Sequence, residues 1–112
     1  MVLQGEVFRR PKIQRKRRGV RMNSRVPVAL EWPDPAGAML RERAFTRVIN
    51  AYGCLVVLPW NLSIGQGLRV VNLVNEMANE GRIVWKGTER PEGWELGVEL
   101  TEPMMDFWGL DL

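Results

Sequence analysis

No histidine occurs among the 112 residues of this chain. That absence excludes a His-based zinc site, a Ser-His-Asp triad and a Cys-His dyad. A single cysteine, Cys54, leaves no internal disulfide and fits a reducing compartment. No apolar run approaches the ~20 residues of a membrane span, and the N-terminus lacks the apolar stretch of a signal peptide. Carboxylates are scattered, and no nucleophile–base pair can be named. These absences predict a small soluble cytoplasmic domain that is not an enzyme and carries no metal or cofactor.

What is present describes a globular chain with a basic arm. Apolar residues make up 46% and charged residues 26%, too much of the first and too little of the second for disorder. The length suits one domain. Charge divides the chain: residues 1–25 hold nine basic groups against Glu6 alone, a net +8, whereas the remaining 87 residues carry −5. Such an arm on a mildly acidic body predicts a polyanionic partner, or else a solvated tail with no specific role.

Along the body, residues 26–112, short apolar segments alternate with Gly, Pro and Asn. Strands are predicted at Val26–Trp32, in the second half of the segment Leu40–Ile49, and at Cys54–Leu58, Leu68–Leu73, Arg82–Lys86 and Trp94–Leu100, while residues 38–47 also have the composition of a local helix. Pro27 belongs at a strand start or on an edge, because it donates no ladder hydrogen bond. The unbroken apolar run of Cys54–Leu58 predicts burial on both faces, and Arg82–Lys86 alternates as a half-buried strand should. Connections are expected at Asn50–Gly53 with a positive φ at Gly53, at Pro59–Gly67, at Val74–Gly81 and at Gly87–Gly93. Residues 103–112 are read as a short helix or turn closing one mouth. The five tryptophans are read as core and plug residues. Six short strands so spaced predict an all-β antiparallel barrel or sandwich.

The sharpest local feature closes the arm: Arg15-Lys16-Arg17-Arg18-Gly19-Val20-Arg21, with Arg17 and Arg21 spaced R-x-x-x-R. Arg21 and Arg25 share that spacing. A guanidinium presents paired donors to a phosphate or to the O6/N7 edge of guanine, and its plane stacks on purines. A basic R-x-x-x-R stretch leading into a six-stranded antiparallel barrel of about 100 residues resembles the PilZ domain, a bacterial receptor for cyclic dimeric GMP. The resemblance runs from Arg17 to about Leu100 and includes Trp94-Glu95-Leu96-Gly97-Val98-Glu99-Leu100, similar to the family's last strand.

The resemblance implies that Arg17 and Arg21 grip guanine and phosphate groups, with Lys16 and Arg18 adding charge beside them. It also implies a second motif, (D/N)-x-S-x-x-G, at the turn between strands two and three. Two segments compete for it. Val48-Ile49-Asn50-Ala51-Tyr52-Gly53 follows strand two and has the glycine, but places Val48 at the acidic position and Asn50 at the serine. Asn61-Leu62-Ser63-Ile64-Gly65-Gln66 has Asn61 and Ser63 in place but ends on Gln66, and it lies in the next connection. Chain order favours Asn50 and Gly53.

The resemblance therefore implies a cytoplasmic cyclic dimeric GMP receptor module of bacterial signalling, with a protein as downstream partner. Two alternatives stand beside it. A degenerate second motif suits an adaptor working by protein contact alone. A basic arm suits nucleic acid, against the −5 body and the lack of arm aromatics other than Phe8.

Overall fold

The computed structural model describes residues 22–103 and 106–109, and among them there are strands and turns but no helix. Eight strands form: β1 (Met22–Asn23), β2 (Pro27–Pro33), β3 (Met39–Phe45), β4 (Val48–Asn50), β5 (Gly53–Leu58), β6 (Gly67–Asn72), β7 (Ala78–Arg90) and β8 (Gly93–Leu100). They make one antiparallel sheet in the order β1-β4-β5-β8-β7-β6-β2-β3. β3 ends that order, yet two residues carry the chain from it into β4 near the opposite end. The sheet therefore has to curl round on itself, and the result is a barrel.

Thr46 makes the closure and divides the segment Leu40–Ile49 between two strands, so that residues 39–45, open to a local helix by composition, are strand as well. The Thr46 side chain is fully buried. Its hydroxyl donates to the Ser24 carbonyl at 2.8 Å and accepts the Val26 amide at 2.9 Å. Arg47 then bonds the Leu55 carbonyl through its amide. Before this corner the chain pairs with β2, and after it with β5.

Side-chain alternation builds the core as period 2 requires. Val28, Leu30, Trp32, Ile49, Val56, Leu58, Leu68, Val70, Ile83, Leu96, Val98 and Leu100 fill the interior. On β5, Leu55 and Val57 are only half-buried, so one face of this strand is in the core and the two-sided burial expected for it does not occur. Pro27 opens β2, where a missing amide costs no ladder bond.

Two connections are shorter than expected. The turn after β6 spans Leu73–Met77, with Glu76 at φ 63°, and strand resumes at Ala78. Asparagine shapes the first of these turns: the Asn72 and Asn75 side-chain oxygens accept the Val74 and Met77 amides. β7 runs on to Arg90, leaving Pro91-Glu92 as the turn into β8.

Asp106–Gly109 is a turn, closed by the Gly109 amide on the Asp106 carbonyl. It carries Phe107 and Trp108 into the core edge to face, centroids 4.8 Å apart. Asn72 and Asn75 both donate to the Phe107 carbonyl, at 2.9 and 3.2 Å. Trp32 is likewise buried and Trp94 is packed against the core. Trp60 and Trp85 are 39% and 48% exposed, so the reading of all five tryptophans as core fails for these two.

Candidate functional site

The ladder registers bring the residues of the β4–β5 turn to a trough on the outside of the barrel. Asn50 pairs with Gly53, Gly53 with Glu99, and Glu99 with Arg82, so these four form one row across β4, β5, β8 and β7. The adjacent outward row is Val48, Leu55, Gly97 and Trp85. Between the two rows run Ile49, Cys54, Val98 and Ile83, whose side chains point into the core. The trough encloses about 440 Å³, within the usual range for small-molecule sites.

Its floor is low because glycine occupies both rows. At Gly53 the reason is steric: a Cβ there would run into the carbonyl oxygen of Val98 on β8. The positive φ expected at Gly53 is absent; the glycine serves close strand approach instead. Gly97 leaves room for the Trp85 side chain, since a Cβ at Gly97 would lie 3.0 Å from that of Trp85.

A β-bulge brings Trp85 outward. Ile83 pairs with Val98 and Trp85 with Gly97, so two steps on β7 match one on β8. Strict alternation would have put Ile83 and Trp85 on the same interior face. The extra residue, Val84, rotates Trp85 to the outer face, and both are exposed. Sequence reasoning missed Trp85 for this reason, because a bulge is a property of pairing and leaves no mark in the polar–apolar pattern. Glu99 was missed as well, although its outward position on an alternating β8 was readable.

Asn50 holds the turn that borders the trough. Its side-chain oxygen accepts the amides of Tyr52 at 2.7 Å and Gly53 at 3.0 Å, and its backbone carbonyl accepts the indole N–H of Trp108 at 2.8 Å. Across the floor, Glu99 lies 3.9 Å from the Arg82 guanidinium. Cys54 lies beneath, its thiol pushed up to about 12 by burial. Among the described residues no cluster of acidic or thiol side chains suits a metal ion.

Asn61 and Ser63 do not line the trough. The Asn61 side chain accepts a hydrogen bond from Lys86, and Ser63 opens a turn closed by the Gln66 amide on its carbonyl, with Gly65 at φ 95°. Arg17, Arg18 and Arg21 lie outside the described residues. The chain enters the described structure at Met22, which pairs with Ile49, one residue from Asn50. No helix among the described residues is long and apolar enough to cross a membrane.

No family model and no curated protein matches the chain. Among solved structures, it is similar to the Bacillus subtilis inhibitor of motility MotI/DgrA, with a TM-score of 0.61 and 25% identity. The match covers 82% of this chain but 45% of that one, so the chain spans about half the length of its structural neighbour. The likeness and the topology together give a PilZ-like barrel.

Proposed function

We propose that the chain is a PilZ-type receptor module for cyclic dimeric GMP, a binding protein without catalytic chemistry of its own. The observation that carries this reading is that Asn50 and Gly53, the positions the resemblance assigns to the second motif when it is placed by chain order, border one trough that Ile49, the ladder partner of Met22, also lines. Arg21 directly precedes Met22. Arg17 is five residues before Met22, within about 17 Å of extended chain. A tether of that length lets either arginine meet a ligand lying over Gly53.

The chemistry is complementary. A cyclic dinucleotide offers two phosphodiester charges and two planar bases. Arginines supply charge-assisted, paired donors for the phosphates and a planar face for a base. The half-exposed indole of Trp85 supplies a stacking wall, and base–aromatic stacking contributes about 1–3 kcal/mol. Ligand capture would fold the arm over the trough and change the surface offered to a protein partner.

Val48 favours a second reading. It is an aliphatic side chain lining the trough at the position the second motif assigns to an Asp or Asn. If it abolishes binding, the module is an adaptor acting by protein contact alone. Calorimetric titration with cyclic dimeric GMP separates the two readings. Saturable one-site or two-site binding that weakens at least tenfold in Trp85→Ala supports the receptor. A flat titration of the wild-type protein leaves the adaptor.

A further inference from the structure

We propose that the outer edge of β3 is a docking site where a partner protein adds an extended segment as a further strand, with acidic side chains at alternate positions and aliphatic ones between. No residue of β3 lines the trough, so this docking needs no nucleotide bound there. β3 ends the sheet, and the corner at Thr46 closes the barrel without a ladder between β3 and β5. Two bonds fix which backbone groups of β3 face β2. The Thr46 amide donates to the Val26 carbonyl at 3.0 Å, and the Asp34 amide to the Ala38 carbonyl at 2.8 Å. Hydrogen-bonded pairs alternate along an antiparallel ladder, so Leu40, Glu42 and Ala44 bond β2. The amides and carbonyls of Met39, Arg41 and Arg43 point the other way, where no described residue hydrogen-bonds to them. Edges are usually blunted by shortness, proline or a bulge. β1, at the other end of the sheet, has two residues. β3 has seven, in unbroken register with β2 and free of proline and glycine.

The side chains select the occupant. Met39, Arg41, Arg43 and Phe45 face outward and are exposed. Arg41 is paired with Glu31. Arg43 has no ion-pair partner among the described residues, and its row continues through Ala29, Val71 and Ala78 without a carboxylate. Arg25 lies over the Phe45 ring, 4.6 Å from its centroid, and adds a second cation at that end. These charges disfavour a second copy: two-fold pairing of β3 about Glu42 sets Arg41 against Arg43 twice, and like charges directly opposite destabilise. Acidic side chains at the same positions turn that repulsion into cross-strand pairs. On the inner side, Leu40 and Ala44 pack partly on the core, and Glu42 between them accepts the Trp60 indole N–H at 2.9 Å. Trp60 stays 39% exposed, and aliphatic side chains of an added strand would cover it. Main-chain bonds then supply the affinity and alternate side chains the specificity.

The test is titration of the full chain with a blocked peptide of β3's length, seven residues, alternating glutamate and valine. One control peptide carries lysine for glutamate; the other is N-methylated along its backbone, which keeps the charge and removes the ladder donors. The glutamate peptide should bind saturably and slow hydrogen exchange at the Arg41 and Arg43 amides. Both controls should bind at least roughly tenfold more weakly, and Arg43→Glu should cost the glutamate peptide about tenfold. Arg43 is exposed, so this variant should fold, with unchanged circular dichroism as the check. No binding of the glutamate peptide, or unchanged affinity in Arg43→Glu, overturns the proposal. Equal binding of the N-methylated peptide also overturns it, since the basic arm then attracts charge alone. Self-association of the wild type that protects the same amides makes the occupant a second copy and overturns it too. Each of these results leaves the receptor reading to its own titration.

Discussion

The indole nitrogen of Trp108 donates a 2.8 Å hydrogen bond to the backbone carbonyl of Asn50, 58 residues earlier in the chain. The bond ties the aromatic plug in one mouth of the barrel to the turn that borders the trough. Trp108→Phe keeps most of the packing but strands the Asn50 carbonyl. We predict a loss of about 1–2 kcal/mol, seen as a fall of several degrees in the melting temperature. Trp108→Ala should cost about 3–5 kcal/mol. Equal melting points for Trp108→Phe and the wild type would show that the bond contributes nothing.

Thr46 gives a second prediction. Thr46→Val keeps the shape of the side chain but deprives the Val26 amide and the Ser24 carbonyl of their partner at the barrel corner. Two part-buried groups left unsatisfied should cost about 2–4 kcal/mol, measured by urea unfolding. A loss under about 0.5 kcal/mol would mean that the corner is held by its ladder bonds alone.

Gly53 and Gly67 should respond oppositely to alanine. At Gly53 the new methyl meets the backbone of β8, which cannot yield without breaking the β5–β8 ladder, and the expected loss is about 3 kcal/mol or more. Around Gly67 nothing lies within 4 Å of a built Cβ, so Gly67→Ala should stay within about 0.5 kcal/mol of the wild type. Similar stabilities for the two variants would place the close approach elsewhere.

Cys54 has its thiol pushed up to about 12 by burial, so at pH 8 the native protein holds essentially no thiolate. Labelling by a thiol reagent should be much slower than in denaturant, and its rate should follow transient opening of the barrel. Native labelling as fast as that of the unfolded chain would contradict the burial.

The sequence made the architecture legible where period and turn chemistry act locally. Trp94–Leu100 alternates cleanly and is β8, and Asn50–Gly53 reads as a turn because a short amide side chain can cap its own backbone. Legibility failed where pairing decides. Nothing local in residues 40–49 says that Thr46 turns a corner, since its partners Ser24 and Val26 lie 20 or more residues away. The bulge at Val84 inverts the face of Trp85, and only the register with Gly97 reveals it. Half the candidate site, Asn50 and Gly53, was readable once the motif the resemblance implies was placed by order along the chain. The other half, Trp85 and Glu99, is assembled by strand pairing across the sheet.

The central claim is tested most directly by titrating cyclic dimeric GMP into the wild type and into Arg17→Ala, Arg21→Ala, Arg9→Ala and Arg10→Ala at two salt concentrations. If Arg17 and Arg21 clamp the ligand, each substitution removes a charge-assisted contact worth about 1.5–3 kcal/mol, and affinity should fall roughly ten- to a hundredfold. Arg9 and Arg10, further from Met22 along the chain, would act only through screened attraction and should cost far less. Equal losses at all four positions, with steep salt dependence, would contradict the clamp and describe an arm that binds polyanions without selection. No binding by the wild type would contradict the receptor itself.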